Sequence, residues 1–209
     1  QTQQFSQSLY EVFGQIEELV NSQKLEAAEK LFEFFIEQEQ NQNLLQPKLF
    51  GLMIKAYADA GLIAKAEHVF QLQFAKKIPI TARNLTPLLR AYSIRKRPQD
   101  ARAVLQHLID NKRRITIYAV NATLLGYALT GRLQVGEAFL EEMITAFNLV
   151  PDVVTVSTLM NGALEQDNLE RAYQYMRSYK SKYNIEFSSS MFNTLIKWHL
   201  KRGELDKIK

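Results

Sequence analysis

Apolar residues recur three and four positions apart along most of the chain, in stretches such as FGLMIKAYADAG from Phe50 and LIAKAEHVFQLQF from Leu62. That spacing lays them on one face of an α-helix. VNATLLGYALTG from Val120 and LQVGEAFLEEM from Leu133 repeat the alternation of two helical runs. The first run of each pair closes on Gly, the residue favoured just past a helix end. LVPDVVTVSTLMNGALEQDNLERAYQYM, from Leu149, follows the same plan, although its Val/Thr run at 153–156 would suit a strand. β-branched residues are only mildly unfavourable in helices, so this run is expected to open one.

The pairs form a repeat. A small residue recurs about twenty positions into each unit: Ala28, Ala66, Ala101, Gly136 and Ala172. A turn precedes it by five residues at Gly61, Gly131 and Gly203, with Asp167 and the Arg97–Pro98 pair as substitutes. On these anchors the units open near Leu9, Pro47, Ala82, Ile117, Val153 and Ser189. The small anchor lets two helices approach closely, where a larger side chain would overpack. One hairpin cannot bury its own apolar stripe, so neighbours must stack. The expected fold is all-α: a right-handed α-solenoid of helix-turn-helix hairpins, its handedness borrowed from known helical-repeat families. It comprises a degenerate capping unit at 1–46, units at 47–81, 82–116, 117–152 and 153–188, and a partial unit at 189–209.

Composition agrees with this and narrows the chemistry. Of 209 residues, 46% are hydrophobic and 23% charged, with 8 Gly and 5 Pro, too few breakers for an all-β fold. Cysteine is absent, which excludes disulfides and Cys-based zinc sites or nucleophiles. No stretch reaches the roughly 18 apolar residues of a membrane span. The chain opens on Gln1, and QTQQFSQSLY carries neither a secretory signal nor an Arg-rich transit pattern, so no address is read from it. Charge is segregated: residues 1–46 carry 2 basic and 8 acidic side chains, and residues 47–116 carry 14 basic and 4 acidic, for a formal net charge of +4 over the whole chain. A block at +10 suits a polyanionic partner or, equally, a solvated basic face.

VPDVVTVSTLMNGALEQDNLERAYQYM, MFNTLIKWHLKRGELDKIK and GRLQVGEAFLEEM…VPD resemble pentatricopeptide repeats over residues 47–209, most clearly in NTLIKWHLKRGEL from Asn193. The peptide-binding tetratricopeptide repeat fits less well, because its Trp…Leu-Gly…Tyr pattern is missing and Trp198 stands in one unit alone. The resemblance implies a reader of single-stranded RNA, with about one base per repeat. A polar residue in the first turn and the last residue of the unit read the base. A flat or apolar side chain three positions earlier stacks on it, and nearby cations take the phosphates.

On this register Asn121 and Asp152 form a reading pair that in the family implies uridine, with cytidine second. Tyr118 and Val154 would stack on either side of that base. The alternative use is structural, with Asn121 on a helix and Asp152 capping the next. Thr86 with Thr116 and Ser157 with Ser188 resemble purine-preferring pairs without the closing Asp or Asn. Gly51 with Thr81 can read little, and Phe13 with Gln46 resembles a cap. Asn193 is a reader whose partner lies beyond Lys209. Lys48 and Arg83 hold the stacking position, Lys55, Arg90, Lys197 and Lys201 repeat on the same helix face, and all six would bind phosphate. Arg113 and Arg114, near a unit end, could add to it.

No catalytic or metal site is expected. His68, His107 and His199 are single and far apart in sequence. GYALTGR from Gly126 lacks the Lys-Ser/Thr of a phosphate loop. Asn84-Leu85-Thr86 and Asn121-Ala122-Thr123 match glycosylation acceptors but fall on expected helices. The expected function is a binding module for single-stranded RNA with no cofactor, no membrane and no small-molecule substrate. The resemblance implies a role in RNA processing, stability or translation in a mitochondrion or chloroplast. The alternatives are a protein-interaction scaffold among ribonucleoprotein subunits and the recognition arm of a longer RNA-processing enzyme, whose catalytic domain would follow Lys209.

Overall fold

The Val/Thr run at 153–156 starts a helix because Asp152 caps it. The Asp152 carboxylate accepts hydrogen bonds from the backbone N–H groups of Val154 and Thr155, both at 3.0 Å, while Thr155 Oγ1 accepts from the Asp152 N–H at 3.1 Å. This reciprocal capping box satisfies donors that a helix start leaves open. Thr155 and Val156 are then fully buried, and packing overrides their β preference.

The computed structural model describes residues 9–38, 41 and 45–204, among which there are eleven α-helices and no strand. The first helices of the pairs are α1 (Leu9–Asn21), α3 (Pro47–Asp59), α5 (Ala82–Ile94), α7 (Ile117–Leu129), α9 (Val153–Glu165) and α11 (Ser189–Lys201). The second are α2 (Leu25–Glu37), α4 (Ile63–Ala75), α6 (Pro98–Asp110), α8 (Leu133–Phe147) and α10 (Leu169–Tyr183). Parts of the expected cap at 1–46, of its Gln-rich loop and of the unit at 189–209 lie outside the described residues.

The chain divides into two compact units, with the boundary after Ala91, inside α5. In the first, α1 packs on α2, α3 on α4, and α1 beside α3. Its core includes Val12, Ile16, Phe32, Phe50, Met53 and Tyr57, with the Phe32 and Phe50 rings edge to face at 5.4 Å. In the second, α7 lies against α6, α8 and α9, and α9 against α10 and α11. Leu124, Tyr127, Phe139, Leu140 and Leu159 fill its core. In both units first helices are neighbours of first helices, so one surface is built from them.

The small anchors make the hairpins close. Ala28, Ala66, Ala101 and Ala172 are fully buried. At Gly136 a Cβ would stand 2.9 Å from Tyr127 Cβ and 3.1 Å from Leu124 Cδ1, nearer than side chains tolerate.

The turns within the hairpins use left-handed backbone at Gly61 (φ 73°), Gly131 (φ 70°), Gly203 (φ 71°) and Asp167 (φ 63°). The third pair differs from expectation: Lys96 (φ 60°) makes the turn, rather than Arg97–Pro98. Pro98 is the first residue of α6 and Arg97 its cap, so the reversal falls one residue earlier. α5 also continues through Pro87, which cannot donate to the Arg83 carbonyl. Beside it the Thr86 hydroxyl donates to the Ala82 carbonyl at 2.8 Å.

Charges on the second helices pair between hairpins: Lys65 with Glu29, Arg102 with Glu142, and Arg171 with Glu137. Arg171 also bonds the Tyr175 hydroxyl, which donates to Glu137. Burial, then the Glu137 bond, push the Tyr175 hydroxyl up to about 12.

Gly136→Val should lower stability by about 1–3 kcal/mol through overpacking. Circular dichroism would read this as a lower Tm. An unchanged Tm would contradict the close approach of α7 and α8.

Candidate nucleic-acid interface

The expected site residues fall on the first-helix surface, and they differ in how much of their chemistry is free. Tyr118 and Val154, at the stacking position of α7 and α9, are 67% and 49% exposed. Between them in register, Asn121 is 4% exposed and tied into a polar network. Its Nδ2 donates to Asp152 Oδ1 at 2.9 Å, and its Oδ1 accepts from Thr155 Oγ1 at 2.8 Å. The reading pair and the capping box therefore share one carboxylate oxygen. Of the two uses foreseen for this pair, the geometry here is the structural one: Asp152 caps α9, and it also holds the Asn121 amide. Asn121 keeps one amide hydrogen outside these bonds.

Thr155 was not anticipated. It is the third residue of its unit, next to the stacking position, and it fixes which way the Asn121 amide faces. A buried threonine at the start of a helix was the available signal.

The hydroxyl positions are less open. Ser157 donates to the Val153 carbonyl at 2.7 Å, as Thr86 does to Ala82, so both hydrogens are used within their own helices. Each oxygen remains an acceptor. Thr116 caps α7, accepting from the Ala119 N–H at 3.4 Å, and Ser188 precedes α11 without a side-chain cap bond. Ser157 and Ser188 nevertheless line one open groove of about 900 Å³ with Val154, Asn161, Lys197 and Lys201. Asn193 is exposed on α11.

The cations are the remaining expected site residues. Lys48, Lys55, Arg83 and Arg90 are exposed on α3 and α5 of the first unit, and Lys197 and Lys201 on α11 of the second. Among the described residues no ion pair reaches any of these six, in contrast to the second-helix pairs above. Lys48 Nζ lies 4.1 Å from the centre of the Phe13 ring, so a cation covers the apolar residue at the reading position of the first hairpin. Arg113 and Arg114 line a second cavity, of about 760 Å³, together with Thr116, Tyr118 and Val150. Among the described residues no three His, Cys, Asp or Glu side chains gather as a metal site, and no helix is long and apolar enough to cross a membrane.

Asp152→Ala removes the α9 cap and leaves the Asn121 amide short of a partner. It should cost about 1–2 kcal/mol in chemical denaturation. In a cycle with Asn121→Ala the two losses should be less than additive, by about 0.5 kcal/mol or more. Full additivity would mean that their hydrogen bond contributes nothing.

Residues 49–72 match the family model of the pentatricopeptide repeat. No curated protein matches the chain in sequence. Among solved structures, the pentatricopeptide repeat protein PPR10 from maize is similar over 98% of this chain and 29% of its own, with TM-score 0.73 and 16% identity. PPR10 in complex with an 18-nucleotide psaJ RNA element gives TM-score 0.80 at 16% identity over 96% of this chain. The pentatricopeptide domain of Arabidopsis thaliana protein-only RNase P 1, in complex with tRNA, gives TM-score 0.68 at 12% identity, over 90% of this chain and 96% of that domain. This chain thus spans about 29% of the length of PPR10. Identities this low speak for fold alone: the chain carries a recognisable pentatricopeptide repeat at 49–72 and has the all-helical pentatricopeptide-repeat solenoid fold.

Proposed function

We propose that this chain is a module that binds single-stranded RNA along its first-helix surface. One observation carries the reading: among the described residues Lys65, Arg102 and Arg171 of the second helices pair with carboxylates of neighbouring hairpins, whereas no ion pair reaches Lys48, Lys55, Arg83, Arg90, Lys197 or Lys201 of the first helices. Unpaired cations on first helices, with Tyr118 and Val154 exposed at the stacking position of α7 and α9, suit a phosphate backbone with bases turned inward to stack. PPR10, whose structure includes an 18-nucleotide RNA, supports the same use of this fold.

In this reading Asn121 and Asp152 read uridine between Tyr118 and Val154. Thr86, Thr116, Ser157 and Ser188 contribute acceptors with little discrimination, Asn193 serves the last unit, and Lys48, Lys55, Arg83, Arg90, Lys197 and Lys201 hold phosphates. The hairpin at 1–46 serves as a cap, and 189–209 as the opening half of a sixth unit. No cofactor enters. A second reading, the recognition arm of a longer RNA-processing enzyme, is favoured by the match to 96% of the RNase P 1 domain. The organellar address rests on the family resemblance, and a nuclear proteinaceous RNase P 2 from A. thaliana shares the fold at TM-score 0.70 and 14% identity.

Selection from a random single-stranded RNA pool, with affinity then followed against salt, tests the function. A uridine should be recovered and its preference lost in Asn121→Ala. Lys55→Ala and Arg90→Ala should weaken all sequences alike, each reducing the salt slope by about 0.7. Absence of RNA binding at moderate salt would overturn the reading and leave a protein-interaction scaffold.

A further inference from the structure

The junction between the α3 hairpin and α5 repeats the Asn121 junction with the parts exchanged. In the later junction the fifth residue of one unit, Asn121, carries the amide, and the third residue of the next, Thr155, supports it. In the earlier one the fifth residue is Gly51 and the third residue of the next unit is Asn84. The remaining geometry is parallel. The Thr155 N–H is capped by Asp152, the last residue of the preceding unit, and the Asn84 N–H donates to the hydroxyl of Thr81, which holds that same place, at 3.3 Å.

Asn84 fills the space that Gly51 leaves. A Cβ on Gly51 would stand 2.9 Å from Asn84 Cγ and 3.0 Å from its Oδ1. The amide therefore lies where a side chain at 51 would begin, and the absence of that side chain is what admits it. Asn84 Nδ2 donates to the Pro47 carbonyl at 2.7 Å, which orients the group across the face of α3. One amide hydrogen and the Oδ1 acceptor remain outside these bonds, and the side chain is half-buried rather than sealed. Lys48 and Arg83 stand at the positions that Tyr118 and Val154 hold in the later junction, and an arginine plane stacks on bases as an aromatic ring does.

We propose that Asn84, reaching across Gly51, is the base-contacting residue of the unit that opens at Pro47, and that its ligand is the edge of a nucleobase in single-stranded RNA. This rests on the RNA reading above. It gives sequence choice to a unit whose own reading position is glycine. An amide offers a donor and an acceptor side by side, the pattern that matches a neighbouring acceptor and donor on a base edge. With one base per repeat, the affected nucleotide lies two positions from the uridine read by Asn121.

The test uses the full chain and RNA oligonucleotides that differ only at that nucleotide. The wild type should distinguish the best from the worst base by about tenfold, and Asn84→Ala should level them while the uridine preference persists. Helical circular dichroism of the variant, together with that persisting preference, separates lost contact from lost fold. Gly51→Asn/Asn84→Thr returns the amide to the fifth position and should restore a preference at the same nucleotide. If Asn84→Ala leaves the choice at that nucleotide intact, or the wild type makes none, the assignment of Asn84 is overturned while the uridine site stands. If no RNA binds at all, the RNA reading fails, and this inference with it.

Discussion

The close approach of the two helices in each hairpin governs the rest of the structure. It rests on small residues at the contact: Ala28, Ala66, Ala101 and Ala172 are fully buried, and at Gly136 even a Cβ would crowd Tyr127. Once each pair is closed, first helices neighbour first helices within each of the two compact units. That regularity lets a single exposed position, occupied by Lys48, Arg83, Tyr118 and Val154, recur unit after unit.

Polar groups at the junctions hold the joints together, and in the proposed reading the same groups contact bases. Buried amides and hydroxyls are costly unless bonded, and the Asn121–Thr155–Asp152 set meets that demand while leaving one amide hydrogen available. The Asn84–Pro47 bond does the same with the amide carried by the following helix. Charges separate along the same lines. On second helices Lys65, Arg102 and Arg171 form ion pairs between hairpins, and among the described residues no ion pair reaches the six first-helix cations. The electrostatic attraction is indifferent to sequence, so any selectivity has to come from the junction amides.

Much of the fold was legible in the chain because periodicity reports burial directly. The first helices begin at Leu9, Pro47, Ala82, Ile117, Val153 and Ser189, the residues at which the repeat register opens its units. Glycine marked the turns at Gly61, Gly131 and Gly203, but residue type failed where Lys96 adopts the left-handed backbone, as do Lys77, Lys112, Asn148 and Asn184. A helix end imposes that conformation on whichever residue stands there, and the cost to a lysine or asparagine is small beside the packing of two helices. Pro87 within α5 is a similar case of packing outweighing local preference.

The candidate site was legible by register and not by contact. The family resemblance paired Asn121 with Asp152, and the capping role of Asp152 was readable from its place before a helical run. Thr155 and Asn84 were missed because their partners lie on a preceding helix 34 and 37 residues away, a relation no local pattern reports. The inward turn of the Thr86 and Ser157 hydroxyls was likewise hidden, since it depends on side-chain rotation about a helix already formed.

The central claim is that the joint between two hairpins is also the place where a base is recognised. The side-chain ¹⁵N amide resonance of Asn121, assigned by its loss in Asn121→Ala, reports on that joint directly. Titration with a selected RNA should shift it, and the same RNA with its uridine replaced by adenosine should bind more weakly and shift it less. A resonance that stays in place while the RNA binds would show that the joint is structural alone and that recognition lies elsewhere on the surface.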